Sequence, residues 1–124
     1  MSAHTPEDIH PLFSTASNKG DLDAIMGLYE PEAALVAQAG QVTRGHTAIR
    51  SSLQQFLALK GHIQMKSLFV IHGSDLALLR SQWKLNGTGP DGKAVEMVGQ
   101  GIEVARRQSN GEWLLSIDHP FGAD

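Results

Sequence analysis

Apolar residues recur at helical spacing through the first half of the chain and at every second position through the second half. Ile9, Leu12, Phe13 and Ala16 fall at i, i+3, i+4 and i+7, which is one stripe of a helix. Thr5-Pro6-Glu7-Asp8 precedes them as an N-cap, a first-turn proline and acids beside the positive helix end. Pro11 removes one backbone donor, so a kink or a later helix start is expected there. Gly20 closes the segment. Asp21 can cap a second, short helix with the stripe Leu22, Ile25, Met26 and Tyr29. Glu30-Pro31 ends it, because a residue before proline is pushed out of α geometry. A third helix follows Arg44-Gly45, with Ile49, Leu53, Phe56 and Leu57 on one face, Arg50, Ser51, Gln54 and Gln55 on the other, and Gly61 as its stop.

Beyond Gly61 the period falls to two. Ile63, Met65, Phe69 and Ile71 alternate with His62, Gln64 and Lys66, as in a half-buried strand. Gly73-Ser74-Asp75 turns the chain into a strand from Leu76 to Leu85, and the Gly87–Gly92 segment turns it again. Ala94 to Arg107 reads as a long strand with a bend or bulge at Gly99 and Gly101. Ser109-Asn110-Gly111 is a hairpin loop before a last strand from Trp113 to His119. Ala34 to Gln38 and Gln41 to Thr43 form a short earlier pair. Helices followed by an antiparallel meander argue for an α+β fold rather than α/β. Three apolar helix stripes require one sheet face, and a long bent sheet can curl around a helix and leave a cavity at its wide end.

Composition narrows the function classes. The 124 residues suit one domain spanning 1–124, and 41% hydrophobic content is enough for one core. The absence of cysteine removes disulfides, thiol nucleophiles and cysteine-bearing zinc sites. The net charge is -3, with the ten basic residues scattered, so no basic face for nucleic acid is expected. The N-terminal residues lack a basic region followed by an apolar run, and no apolar stretch reaches the roughly 20 residues of a membrane span. A cytoplasmic location is compatible with this, with neither membrane nor nucleic acid as partner.

Several strings carry a family likeness. Asn18-Lys19-Gly20-Asp21-Leu22-Asp23, Leu28-Tyr29-Glu30-Pro31-Glu32-Ala33, Arg44-Gly45-His46-Thr47-Ala48-Ile49-Arg50 and the stretch from Gly111 to His119 resemble, in order and spacing, the nuclear transport factor 2-like superfamily. Within it they look most like the SnoaL-like, ketosteroid-isomerase-like bacterial proteins of unassigned function. The resemblance covers nearly the whole chain. It implies a cone-shaped, curved antiparallel sheet packed on three N-terminal helices, a conical pocket, and often a homodimer through the sheet's outer face. It implies no single chemistry, since members include isomerases, cyclases, hydrolases, dehydratases and assembly domains. Matched to the steroid isomerases of this fold, the oxyanion tyrosine falls on Phe13, the base near Ala37 and the late aspartate near Gln100 or Ile102. All three acid/base groups are missing at those positions. Polyketide cyclases of the group place an acid/base aspartate near the chain's end, and Asp118 is the residue that would match it.

Asp118 and His119 are therefore the catalytic candidates. They are neighbours on one strand and point to opposite faces, so only one can line a pocket without a bulge. An aspartate in an apolar cavity, or a histidine, could move a proton near neutral pH. The alternative for each is a strand-end hydrogen bond or a dimer contact. Tyr29 needs a hydroxyl partner when buried and could donate to a ligand or simply to a core group. Trp83 and Met97 are wall candidates. Gln100 could orient a ligand if it faces inward, or face solvent. Arg80 more readily pairs with a neighbouring acid than with a ligand. Metal binding finds no support, since His62 and His72 lie about 33 Å apart along one strand. No Gly-x-Ser-x-Gly elbow is present. The expected function is a cofactor-independent isomerase, cyclase or lyase acting on a small apolar molecule. A non-catalytic apolar-ligand carrier and a dimeric assembly module are the alternatives.

Overall fold

Helix formation starts later than the Thr5 cap implies, and proline is the reason. In the computed structural model, which describes residues 2–38 and 40–124, Pro6–Asp8 is a single 3-10 turn and α1 runs Ile9–Lys19. Pro11 thus lies in the first turn of α1, where backbone N–H groups have no intrahelical partner, and the helix runs through it. The Asp8 carboxylate accepts from the N–H of His4 and of Thr5 at 3.0 and 3.2 Å. Gly20 ends α1 in the left-handed region at φ +68. Helix α2 (Leu22–Met26) is capped by Asp21, which accepts from the Ala24 N–H at 3.1 Å.

Helix α2 is only five residues long, so Tyr29 is not its last apolar position but the first residue of strand β1 (Tyr29–Gln38). Pro31 does not stop that strand. Its missing donor falls where β1 shifts register against its neighbour, between Tyr29 and Ala34. Strand β2 (Gln41–Arg44), helix α3 (His46–Leu57) and strands β3 (His62–His72), β4 (Leu76–Thr88), β5 (Ala94–Arg107) and β6 (Trp113–His119) follow. Helix α3 is capped by Ala58, and Lys60 rather than Gly61 takes the left-handed backbone after it, at φ +49.

The six strands form one curved, unclosed sheet in the order β2-β1-β6-β5-β4-β3. Strands β3 to β6 are the antiparallel meander that the alternation predicts, and β1 joins β6 in parallel. Helices α1 and α3 cover the inner face. Ile9, Ile25, Tyr29, Ile49, Leu79 and Leu115 are almost wholly buried between the layers. Each such apolar side chain contributes about 1.5–3 kcal/mol.

Two local features depart from the simple alternation. A bulge at Leu68 shifts the register between Ser67 and Phe69. It turns Phe69 and Ile71 to the outer face, where they are 43% and 56% exposed, instead of leaving them in line with Ile63 and Met65. Gly99 and Gly101 mark no bulge, because the β4–β5 register is unbroken from Leu76↔Arg106 to Thr88↔Ala94. They serve the inner face by leaving space. A Cβ on Gly99 would lie 2.5 Å from the Trp83 indole, and one on Gly101 would lie 2.4 Å from Ser81 Oγ and 2.5 Å from Glu103 Oε2.

Candidate functional site

Between α1, α3 and the inner face of β3 to β6 lies a cavity of about 290 Å³. Its walls are mostly apolar and include Phe13, Leu53, Phe56, Ile63, Met65 and Trp83. The C-terminal segment closes one side. Trp83 Nε1 donates to the Pro120 carbonyl at 2.8 Å, and the Phe121 ring meets the Trp83 ring edge-on at 5.2 Å. Ser52 and Gln55 of α3 also line the cavity, and none of the described lining residues is lysine or arginine.

The polar end is assembled from six elements. Asp118 on β6 and Glu103 on β5 are cross-strand partners, both facing inward and both lining the cavity. The Tyr29 hydroxyl, at the start of β1, donates to Asp118 Oδ2 at 2.5 Å. His10 on α1 bonds Glu103 Oε1 through Nε2 and Ser67 Oγ through Nδ1, the latter at 2.6 Å. Ser81 on β4 donates to Glu103 Oε2 at 3.1 Å. Ser81, opposite Ser67 on one side and Gly101 on the other, continues a row of small residues that makes room for the Glu103 carboxyl. His10, Ser81, Glu103 and Asp118 are all buried.

Burial decides the electrostatics. Loss of solvent, with the Glu103 charge beside it, pushes the Asp118 carboxyl up from 3.8 to about 7, against the opposing pull of the Tyr29 hydrogen bond and the His10 charge. Burial, with the adjacent Asp118 carboxylate, likewise pushes the Tyr29 hydroxyl well above its ordinary value. Such a site can hold one proton on a carboxyl at neutral pH and give or take it inside an apolar chamber. Among the described residues, no group of three or more His, Asp or Glu side chains is arranged to hold a metal ion.

Of the two catalytic candidates, Asp118 lines the cavity and His119 does not. His119 lies opposite Ile102 on the outer parity of β5 and β6, and its buried Nδ1 has no hydrogen-bond partner among the described residues. Tyr29 is buried behind Asp118 and holds it from the core side rather than from the lumen. Trp83 and Met97 stand in the wall. Gln100 does not line the cavity. Strand parity turns it outward, where its Oε1 accepts from Arg80 at 3.2 Å. Arg80 also donates to the Gly101 carbonyl at 2.9 Å, so its partners are neighbours on β5 rather than an acid. Phe13 and Ala37 do line the cavity as apolar surfaces. Sequence reasoning missed His10, Ser67, Ser81 and Glu103. The available signal was parity: Met97, Gly99, Gly101, Glu103 and Ala105 alternate along one face of β5, and Glu103 is the one charged residue among these five.

The profile of the SnoaL-like domain family matches residues 12–115. No curated protein matches the chain. Among solved structures, a ketosteroid isomerase-like protein from Erwinia carotovora atroseptica superposes with a TM-score of 0.81 at 18% identity, covering 91% of this chain and 89% of that one. A proposed dehydratase of the NTF2-like family from Streptomyces avermitilis gives 0.76 at 21% identity, covering 94% of each. A cystatin-like-fold domain of unknown function from Nostoc punctiforme gives 0.76 at 16% identity, covering 92% and 72%. At these identities the likeness is one of fold.

Proposed function

Because the chain belongs to the SnoaL-like domain family, a group that includes isomerases and dehydratases, we propose that it is a cofactor-independent acid/base enzyme of the isomerase, cyclase or lyase type. Its ligand is a small, neutral, largely apolar molecule, since the lining offers no lysine or arginine to an anionic group and its histidine, His10, is already bonded to Glu103. The observation that carries this reading is Asp118. It is a cavity-lining carboxyl, held by Tyr29 and poised near neutrality by burial and by Glu103. Asp118 transfers the proton, and Glu103 beside it is the second carboxyl within the chamber. A neutral Asp118 donates to a ligand oxygen, and an ionised one accepts from carbon or water. The apolar walls exclude water from the exchange.

The test is a thermal-shift screen of neutral carbonyl and hydroxyl compounds, followed by turnover assays on the hits with wild type and Asp118→Asn. Turnover that survives Asp118→Asn unchanged refutes the assignment. Binding with no turnover of any hit favours the carrier reading, which the apolar Phe13 and Ala37 support.

A homodimer through the outer sheet face accompanies this reading. Ile71, Leu78, Val104 and Ile117 are successive register partners across β3, β4, β5 and β6, forming an apolar row with Ile71 and Ile117 exposed. A second copy of the same face would cover it.

A further inference from the structure

One end of the polar network leaves the cavity. Strand β3 is a sheet edge, and Ser67 on it is exposed and outside the cavity lining. From Ser67 Oγ the contacts run inward without a gap: 2.6 Å to His10 Nδ1, through the imidazole, and from Nε2 to Glu103 Oε1 in the chamber wall. His10 is buried and also lines the cavity, so once a ligand fills the lumen the approach left to water is at the Ser67 end.

We propose that Ser67 and His10 form a proton path joining Glu103 to solvent from behind the cavity. It lets the carboxyl site be reprotonated or discharged while a ligand fills the lumen. The imidazole suits this, because it takes a proton at one nitrogen while releasing one from the other.

The transfer balances as follows. With Glu103 ionised, His10 Nε2–H donates to Glu103 Oε1, and Nδ1 accepts the Ser67 hydroxyl. Inward transfer moves the Ser67 proton to Nδ1 while Ser67 Oγ takes one from water. The Nε2 proton passes to Glu103, which becomes the neutral acid. The imidazole is left with its proton on Nδ1, and the hydroxide left in solvent is neutralised by buffer. Reversal restores the first state. No bond between heavy atoms changes, and no oxidant or co-reactant is needed. Ser67 and His10 act through Glu103, and Ser81 holds the second oxygen of that carboxyl in place.

The path's role in turnover rests on the acid/base reading above, but its existence can be tested without a substrate. The readout is the solvent exchange rate of the His10 Nε2–H proton, followed by saturation transfer on ¹⁵N-histidine-labelled protein. Ser67→Val and Ser67→Thr are nearly isosteric β-branched residues suited to a strand, and only threonine keeps the hydroxyl. Exchange is expected to be about tenfold slower in Ser67→Val, where it is left to the lumen side and to local opening, and close to wild type in Ser67→Thr. Equal rates in the two variants would overturn the proposal. So would exchange in wild type that is no faster than that of the Leu79 amide, which opens only with the core. A Val/Thr difference without turnover of any compound leaves the path standing and removes the catalytic reading. Turnover without that difference does the reverse.

Discussion

Replacing Asp118 by asparagine should abolish a pH dependence of stability that the wild-type fold carries. Asparagine has nearly the same shape, and its carbonyl can still accept from Tyr29, so the perturbation is confined to one ionisation. In the folded chain the Asp118 carboxyl titrates near 7, against 3.8 for the free group, because it is buried beside Glu103. A raised value means that the fold favours the protonated form. The associated stability is fully present below about pH 3.8, falls as pH rises through the folded value near 7, and is level above it. At 1.36 kcal/mol per pH unit, the full span is worth about 4 kcal/mol, and the part between pH 5 and 7, at whose upper end the carboxyl is still half protonated, about 2 kcal/mol. The assay is urea unfolding of both proteins at several pH values from 5 to 8. Subtracting the Asp118→Asn curve from the wild-type curve removes most of the contribution of the other titrating groups. The expected difference is a wild-type stability that declines relative to the variant up to about pH 7 and then runs parallel. Parallel curves across the whole range would show that Asp118 ionises normally in the fold. The site would then hold a permanent charge and lose its claim to proton transfer.

Other predictions follow from single contacts. Gly101→Ala should lower stability by about 1–3 kcal/mol in thermal melts, because the new methyl meets Ser81 and Glu103. An unchanged melting temperature would refute the tight row. Asn18 pairs with both backbone groups of Ile63, accepting its N–H at 2.8 Å and donating to its carbonyl at 3.0 Å. Asn18→Ala should therefore cost about 2 kcal/mol in urea unfolding, with little effect on the shape of the cavity wall. Light scattering at micromolar concentration should give about twice the 13.4 kDa chain mass, and Val104→Lys should return it to one chain. A monomeric wild type would refute pairing through that face.

The periods along the chain determined the elements. Helical stripes gave α1 and α3, and alternation gave the meander with its turns. These are properties of neighbouring residues, because backbone geometry repeats over two or 3.6 positions. Alternation also dictated that Asp118 and His119 face opposite ways. It could not say which faces in, since that depends on which side the helices cover. The tertiary structure alone decided the rest. A one-residue bulge at Leu68 reversed the face of Phe69 and Ile71, which strict alternation cannot foresee. Tyr29 continued a helical stripe in sequence, yet pairing with Leu115 drew it into a strand and set its hydroxyl against Asp118. The polar cluster was the least legible part. His10, Ser67, Ser81, Glu103 and Asp118 come from five separate elements, so no local spacing links them. Sheet register and the docking of α1 bring the first four within hydrogen-bonding reach of one another and set Asp118 beside Glu103. All but the exposed Ser67 differ from a scatter of surface polar residues because the same packing removes them from water.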